Sequence, residues 1–545
     1  MQKSFDGIVL KQLVEAGLTW LRTNHQLVNS LNVFPVPDGD TGTNMLLTMQ
    51  SAYSEIANLG YHNVGQMAAA VAQGALMGAR GNSGVILSQL WRGFARGLHG
   101  KEVIDGPALA AAFADARDTA YKGVVRPIEG TILTVAKDSA LAAAAALEET
   151  DDPVEILRRV VFAADESVQH TPDLLPVLKQ AGVVDSGGKG LFFILEGMLR
   201  FLDGQSLESP LVSIVPISAM NLENALQVVE EGQDFEVVVD FRPSGTFDLR
   251  QFYDALEAMG TSIQVGEGEG MYRMHIHVPL DKRYEPIDYV MGLGTVTKVA
   301  MENLTAQMDE IENKAGETHL ELANVEPGHI AVVVVSPGHG ISRIFASLGV
   351  ASIISGGQTM NPSTKDILDA FESLPTDKII ILPNNKNIVL AAQQAKEVTT
   401  KFVYVVPSKT IPQGLAAMLQ LDPGGDVEKI VEKMTRALES VVTGEVTIAT
   451  RSVEIDGVTV KDGQVIALLN GKLAVSSDSP EHACLEFMEK ARAAEYELIT
   501  LFYGEDMPHA EANRIADLIR EHYSKQEVEV QEGGQPHYQF IISIE

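Results

Sequence analysis

The sequence has 545 residues, with 41 Lys or Arg against 73 Asp or Glu, so its formal net charge is −32. At roughly 150 residues per domain, this length predicts three or four domains. Hydrophobic residues make up 45% of the chain and charged residues 21%, a balance that excludes an acidic disordered protein. No local basic patch offsets the acidity, so the composition also argues against nucleic-acid or anionic-membrane binding.

The cysteine content and the hydrophobic runs indicate in which cellular compartment the protein is expected. Cys484 is the single cysteine, so no internal disulfide can form, as is usual in a reducing environment. The first residues lack the apolar core and cleavage site of a signal peptide. No apolar run approaches the roughly 18 residues that predict a membrane span. We therefore expect a cytoplasmic protein without an integral membrane segment.

Residues 1–205 are predicted to form an all-helical domain. Apolar residues recur at helical spacing, as in Leu10, Leu13, Leu18 and Leu21. Alanine-rich stretches continue the pattern, and alanine both favours helices and lets them pack closely. The simplest expectation is a helical bundle.

The middle of the chain, residues 216–325, is predicted to be a small α+β domain that follows an interdomain linker. Helix-like segments at residues 221–232 and 249–260 alternate with strand-like segments at 235–241 and 271–278. A polar helix is expected over residues 302–317.

Residues 326–545 have an α/β pattern. Four short β-branched runs, near residues 329–337, 350–355, 377–384 and 401–408, are separated by helix-like segments. Continuous apolar strands of this kind predict a parallel sheet covered on both faces. The last hundred residues add strands that could form a second lobe or another domain.

The segment NVFPVPDGDTGTNMLLTM, residues 32–49, is the strongest functional signal. Asp38 and Asp40 flank a glycine, so their carboxylates can converge on one Mg²⁺, and two acids this close repel unless a cation lies between them. The next helix should begin with free N–H groups that suit a phosphate. The alternative is a solvated Asp-Gly turn. An EF-hand is excluded, because Thr43 and Met49 occupy the places of its required Gly and Glu.

Three further glycine-rich segments open helices. Residues 74–89 contain Asn82 and Ser83, residues 128–138 contain Gly130, and residues 181–197 contain Asp185 and Ser186. Each alone is also an ordinary packing device, and none has the spacing of a P-loop. Together they predict a nucleotide site at one end of a helical barrel.

These motifs resemble a known family. PVPDGDTGTNM, GARGNSGVILSQ, EGTILTVAKD and VVDSGGKG are similar to the nucleotide-binding domain of DhaL-type dihydroxyacetone kinases. The order of the whole chain, with ISGGQTMNPST, ILPNNKN and VPSKTIPQG, resembles the FakA-like family of bacterial fatty acid kinases. The resemblance implies a multidomain protein with an eight-helix DhaL-like barrel that binds ATP through two Mg²⁺ ions.

The resemblance also implies roles for individual residues. Asp38 and Asp40 become Mg²⁺ ligands, while Asn32 and Val33 stand where the family has a further Asp, which leaves a third ligand open. The implied nucleotide-binding residues are Thr43, Asn44, Asn82, Ser83, Gly130, Asp185, Ser186 and Gly187.

In the middle domain, His275 and His277 lie two apart on a predicted strand, so both side chains should face the same side. This geometry suits zinc if a third ligand is present. The resembling family has a Cys earlier in this domain, and here Glu236 occupies that place. The alternative is a pair of ordinary strand residues.

Polar loops follow the predicted parallel strands of the C-terminal domain, where open α/β sheets bind ligands. The candidates for a binding site there are Gly338, His339, Asn361, Asn384, Asn385 and Lys409. Turn chemistry explains the same residue types. The resemblance implies that this domain contacts the acyl-carrying partner.

As a function, the resemblance implies ATP-dependent phosphorylation of a fatty acid carboxylate, with the acid held by a separate DegV-like fatty-acid-binding protein. The product would be an acyl phosphate for phospholipid synthesis, and a homodimer through the middle domain is expected. One alternative is a dihydroxyacetone-like glycerone kinase. The other is a nucleotide-sensing scaffold without turnover.

Overall fold

The structure is a computed structural model of the chain. It describes residues 4–31, 36, 39–124, 126–207, 215–216, 234–245, 247–268, 271–303, 320–455 and 457–545. The helix expected over residues 221–232 lies outside these ranges. Of the polar helix expected over 302–317, only residues 302–303 are described, and they end a β-strand instead.

The N-terminal region is all-helical, as predicted. Up to residue 207, the described residues form nine helices: α1 (Gly7–Ser30), α2 (Thr41–Ile56), α3 (Val64–Met77), α4 (Gly81–Gly97), α5 (Gly106–Lys122), α6 (Ile132–Leu147), α7 (Pro153–Leu174), the short α8 (Pro176–Ala181) and α9 (Ser186–Leu202). No helix in the described part of the chain is both long and apolar enough to cross a bilayer.

Local sequence explains where most of these helices begin. Six of them start after a side chain that accepts a hydrogen bond from a backbone N–H of the first turn, which stabilises a helix end. These N-cap residues are Asp6, Asn63, Asp105, Thr131, Asp152 and Asp185.

Small residues let the helices close into a ring. A Cβ on Gly93 of α4 would lie 2.3 Å from the carbonyl oxygen of Asp115 in α5, and one on Gly197 of α9 would lie 2.7 Å from that of Ala16 in α1. These backbones therefore approach too closely for any larger residue. Because α1 packs against α9, the first and last helices complete the barrel.

The described residues of the middle domain form one five-stranded sheet and two α-helices. Its elements are β1 (Val215–Pro216), β2 (Phe235–Pro243), α10 (Leu249–Glu257), β3 (Thr261–Gly268), β4 (Met271–Val278), α11 (Glu285–Leu293) and β5 (Gly294–Asn303). The strand order is β1-β3-β4-β2-β5, and all neighbours are antiparallel except β1 and β3. Val237, Val239 and Phe241 of β2 form the core with Phe252 of α10.

The C-terminal region begins with the predicted parallel sheet. It contains β6 (Ile330–Ser336), α12 (His339–Ser347), β7 (Ser352–Ser355), α13 (Thr364–Glu372), β8 (Lys378–Leu382), α14 (Val389–Val398), β9 (Phe402–Val405), α15 (Ile411–Met418) and α16 (Val427–Ala437). The strand order is β7-β6-β8-β9, with every pair parallel.

A second, six-stranded sheet completes the C-terminal region. The remaining elements are β10 (Val442–Ile448), the hairpin β11 (Val453–Ile455) and β12 (Val458–Val460), β13 (Val465–Leu469), β14 (Lys472–Ser477), α17 (Pro480–Lys490), β15 (Leu498–Tyr503), α18 (His509–His522), β16 (Glu527–Glu532) and β17 (Tyr538–Ile544). Val332 of the parallel sheet and Ile541 of this sheet belong to one apolar cluster, so the two sheets are lobes that share a core.

The C-terminal region also packs on the helical barrel. Ala79 and Val85, at the start of α4, are buried in the same apolar cluster as Val333 and Ile388. Val36, from the loop before α2, is buried among residues of the C-terminal sheets. The loops that open α2 and α4 therefore lie at an interface between domains.

Candidate functional site

Asp40 lies at the start of α2 with its side chain 5% exposed. It stands in the N-cap position, yet its carboxylate caps no N–H of that helix. Instead, the carboxylate accepts a hydrogen bond from Nδ2 of Asn361 in the C-terminal domain. Asp38 lies outside the described residues, so its role as a second ligand stays a prediction.

The first turn of α2 is organised by Asn29, a residue at the end of α1. The backbone N–H groups of Gly42 and Thr43 donate to Oδ1 of Asn29 at 2.7 and 3.2 Å, and Nδ2 of Asn29 donates to Oγ1 of Thr43 at 3.0 Å. The expectation that α2 begins with free N–H groups is therefore wrong for these two residues. Asn29 fixes the loop instead.

The second glycine-rich loop packs directly on the first. Gly81 has a φ of +56°, and a Cβ there would lie 2.5 Å from Nδ2 of Asn44. Asn44 is buried and so lies between the two loops. Asn82 reaches the C-terminal domain, donating to Oδ1 of Asn387 at 3.2 Å. Ser83 is half-buried at the start of α4.

The third and fourth loops meet beside Thr171. A Cβ on Gly130, whose φ is +81°, would lie 3.0 Å from the carbonyl oxygen of Thr171, and Oγ1 of Thr171 accepts the N–H of Asp185 at 3.0 Å. Asp185 caps α9 by accepting the N–H of Gly188 at 2.6 Å. Burial raises the pKa of the Asp185 carboxyl to about 6, even though two backbone N–H groups favour the charged form.

Ser186 links this pair of loops to the first. Its hydroxyl donates to Oγ1 of Thr41 at 3.3 Å, and Gly187 packs against Ile132 at the start of α6. The starts of α2, α4, α6 and α9 therefore adjoin at one end of the barrel. Several helix N-termini in one place favour an anionic ligand, since their dipoles attract negative charge.

Arg80 ties this end of the barrel to the C-terminal domain. Its guanidinium donates to the carbonyl oxygen of Asn361 at 2.9 Å and lies 3.2 Å from the carboxylate of Asp366. The N–H of Thr364 donates to the carbonyl oxygen of Ala79 at 3.1 Å. Sequence reasoning missed Asn29 and Arg80. Asn29 lies in no motif, and Arg80 lies within GARGNSGVILSQ, but nothing in that motif indicates its partners in the C-terminal domain.

Some of the other predicted binding-site residues of the C-terminal domain stabilise turns, and some line a cavity. Asn384, with a φ of +54°, uses its side chain to donate to the carbonyl of Val335 at 2.9 Å and to accept from Ser408 at 2.7 Å. Gly338 and His339 contact the β16 end instead, where His339 lies 3.1 Å from Glu532. Asn384, Asn385 and Lys409 do line one cavity, which is partly open to solvent.

The middle domain brings Glu236, His275 and His277 together. Glu236 on β2 pairs in register with His277 on β4, and one ligand atom from each of the three lies within 4.8 Å of the others. Nε2 of His275 is 2.8 Å from Oε1 of Glu236, and the two imidazole centroids are 4.9 Å apart. The prediction that both histidines face one side is confirmed.

Both histidines are fully buried. Neither ring nitrogen of His277 has a hydrogen-bond partner among the described residues. Burial, aided by His275, lowers the pKa of His277 to about 3, so its imidazole is neutral near pH 7. Buried, neutral imidazole with unpaired nitrogens is the form that ligates a transition metal.

Comparison with family models divides the chain into three matches. Residues 35–200 match the DAK2 domain, residues 232–311 match the middle domain of FakA-like fatty acid kinase proteins, and residues 331–545 match their C-terminal domain. An uncharacterised protein of Staphylococcus aureus strain USA300 is 39% identical over 552 residues, covering 100% of both chains. One of strain MRSA252 is 38% identical over the same length.

Similar solved structures cover parts of the chain. The dihydroxyacetone kinase from C. freundii in complex with AMP-PNP and Mg²⁺ is 20% identical, covers 37% of this chain and 35% of its own, and has a TM-score of 0.29. The Streptococcus pneumoniae fatty acid kinase B3 protein loaded with linoleic acid is 16% identical, with 34% and 76% coverage and a TM-score of 0.27.

Proposed function

The chain belongs to the FakA-like fatty acid kinase family, and we propose that it transfers the γ-phosphoryl group of ATP to a fatty acid carboxylate held by a separate DegV-like fatty-acid-binding protein. The product is an acyl phosphate that feeds phospholipid synthesis. The observation that carries this proposal is the buried Asp40 carboxylate at the point where four helix-opening loops adjoin.

The residues around Asp40 fit Mg²⁺. Asp40 offers a carboxylate oxygen, and the buried amide oxygen of Asn361 beside it has no hydrogen-bond partner among the described residues. Hard oxygen atoms of this kind are the ligands that Mg²⁺ prefers. Bound Mg²⁺ would neutralise charge on the transferring phosphates of ATP.

The reaction needs little acid or base chemistry from the protein. A fatty acid carboxylate is already an anion near pH 7, so its oxygen can form the bond to the γ-phosphorus while the bond to the β-phosphate oxygen breaks and ADP leaves. No proton has to be removed. The task left to the chain is to align the two substrates and to stabilise the negative charge of the phosphates. Asp40 would do so by holding Mg²⁺, and the helix N-termini by their dipoles.

A glycerone kinase is the less favoured candidate, because its hydroxyl substrate benefits from a nearby base or covalent anchor. His25 is the histidine nearest to Asp40 in the sequence. Both of its ring nitrogens have other partners, with Nδ1 2.6 Å from the carbonyl oxygen of Arg22 and Nε2 3.0 Å from the side chain of Gln26. Burial also lowers the pKa of His25.

The test uses the full chain with ATP and Mg²⁺ and compares three conditions. They are an acyl-loaded DegV-like protein, free dihydroxyacetone, and no acceptor. We expect ADP release and hydroxylamine-trappable acyl phosphate only with the acyl-loaded protein. Turnover with dihydroxyacetone alone would establish the glycerone kinase. If the chain bound nucleotide but released no ADP in any of the three conditions, the nucleotide-sensing scaffold would be the remaining alternative.

We also propose that the middle domain binds zinc through Glu236, His275 and His277 and forms a homodimer. The exposed side of β5 supports the second part, since Val299 and Met301 are 43% and 38% exposed there. Light scattering should give a mass of twice the 58.8 kDa of one chain. A mass of one chain would contradict the dimer.

A further inference from the structure

Two buried side-chain amides of the C-terminal domain cross to the helical barrel. Nδ2 of Asn361 donates to the carboxylate of Asp40, and Nε2 of Gln394 donates to Oγ of Ser88 at 3.0 Å. In both residues the amide oxygen is buried without a hydrogen-bond partner in the described ranges. A buried polar atom without a partner is costly, so each one calls for an explanation.

The surroundings of the two amides differ. Gln394 faces a neutral hydroxyl within the packed contact of α14 and α4. Asn361 faces the carboxylate of Asp40, at the end of the barrel where the helix-opening loops adjoin. An amide oxygen beside a carboxylate can provide two oxygen ligands for one divalent cation. The pair of Gln394 and Ser88 contains no carboxylate and is therefore a poorer cation site.

Asn361 is also held firmly in place. Arg80 binds its carbonyl oxygen at 2.9 Å, and α13 starts three residues later, at Thr364, with a capping box between Ser363 and Asp366. Before it, the N–H of Gly357 donates to the carbonyl oxygen of Met360 at 3.0 Å, closing a turn. A side chain fixed from both directions can position a ligand atom precisely enough for metal binding.

We propose that Asn361 is a cation-positioning residue supplied across the domain interface, so that the kinase site is complete only when the C-terminal domain is docked on the barrel. Without the cation its amide N–H group holds Asp40. With the cation bound, the amide turns its oxygen toward the metal that Asp40 ligates. This inference rests on the proposed function, because it assumes that Asp40 takes part in Mg²⁺-nucleotide binding.

The same loop connects Asn361 to the C-terminal cavity. Gly356, Gly357 and Gln358 line that cavity, and Asn361 follows them in the same segment. A group bound in the cavity would therefore contact the loop that reaches Asp40.

The test measures Mn²⁺ binding to the full chain in the presence of AMP-PNP, following free Mn²⁺ by electron paramagnetic resonance. Mn²⁺ replaces Mg²⁺ because the two prefer the same oxygen ligands. Asn361→Ala should weaken Mn²⁺ binding ~10–100-fold. Asn361→Asp keeps an oxygen at this place and should bind Mn²⁺ at least as tightly as the unaltered chain.

Gln394→Ala is the matched control, since it removes the other buried amide of the interface. It should change Mn²⁺ binding by no more than about twofold. Equal weakening by Asn361→Ala and Asn361→Asp would overturn the proposal, because a hydrogen-bonding role fails in both variants. Equal weakening by Gln394→Ala would overturn it too, since docking alone would then account for the effect.

The unaltered chain separates this inference from the function on which it rests. If it binds no Mn²⁺ with AMP-PNP, the proposed function fails, and the role of Asn361 fails with it. If it binds Mn²⁺ and Asn361→Ala binds equally well, only the role of Asn361 is refuted.

Discussion

The two candidate metal sites of this protein are assembled over very different distances. Glu236, His275 and His277 come from two neighbouring strands of one sheet, and strand register places them together. Asp40 and Asn361 are 321 positions apart and belong to different domains. The first site should exist in any molecule whose middle domain is folded. The second depends on how the C-terminal domain docks.

Because of this difference, substitutions at the two sites should have different effects on the protein. A substitution at the Asp40 site can abolish function while the barrel remains folded, because the site lies on loops rather than in the core. A substitution in the middle-domain cluster removes a buried group from a small sheet, and its effect should stay within that domain. The following variants test this contrast.

The largest effect is expected from Asp40→Ala. Losing a cation ligand should lower phosphoryl transfer at least about 100-fold, and Asp38→Ala is expected to do the same. Because the Asp40 carboxylate caps no helix N–H, circular dichroism should show unchanged helix content. The rate is measured as ADP release with the acyl-loaded carrier.

Asp105→Ala is the matched control for that variant. Asp105 does cap its helix, accepting the N–H of Ala108 at 2.9 Å, so its loss should cost about 1 kcal/mol of stability and leave the rate intact. If the two variants showed the same residual rate, Asp40 would have no special role.

The contrast also explains what the sequence could predict. Alternation along β4 predicts His275 and His277 on one side without any knowledge of the fold. Helical periodicity predicts an all-helical N-terminal domain, and its barrel form is implied by the family resemblance. Asn29 and Arg80 gave no signal, because their partners in α2 and the C-terminal domain are brought close only by folding. The sequence predicts Asn361 as a loop residue after a strand, but no local pattern indicates its contact with Asp40 in another domain.

The next effect is on metal content. His277→Ala removes one of the three proposed ligands and should lower zinc affinity at least about tenfold. Inductively coupled plasma mass spectrometry of the purified variant should therefore find little zinc. Glu236→Cys offers a thiolate in place of a carboxylate and should retain the metal. Equal zinc content in the His277 variant and the unaltered chain would reduce the cluster to buried strand residues.

A smaller effect is expected from Gly81→Ala, which tests how tightly the first two loops are packed. The positive φ and the contact with Asn44 should together cost about 1–3 kcal/mol. Both tryptophans, Trp20 and Trp91, lie in the barrel, so urea denaturation followed by tryptophan fluorescence reports this domain.

Gly100→Ala controls for the backbone part of that cost. Gly100 has a φ of +74°, and a Cβ there would meet no atom within 4 Å. Its variant should be less destabilised than Gly81→Ala and should bind AMP-PNP normally. Identical losses in both variants would show that the contact with Asn44 contributes nothing.

The smallest effect concerns pH and Asp185. Because burial raises the pKa of this carboxyl to about 6, the folded protein binds its proton more tightly than the unfolded chain does. The resulting stabilisation is complete below the ordinary pKa near 3.8 and is lost as the pH rises through about 6. Asp185→Asn stays neutral and still caps α9, since Asn is as good an N-cap as Asp.

The advantage of Asp185→Asn over the unaltered chain should therefore grow as the pH rises across that window. Melting curves followed by tryptophan fluorescence, without nucleotide, measure it on both sides of the transition. Asp185→Ala removes the bond to Gly188 and should melt below Asp185→Asn at every pH. A constant difference between Asp185→Asn and the unaltered chain would mean that Asp185 does not titrate in this range, and that its burial is relieved when the barrel is in solution.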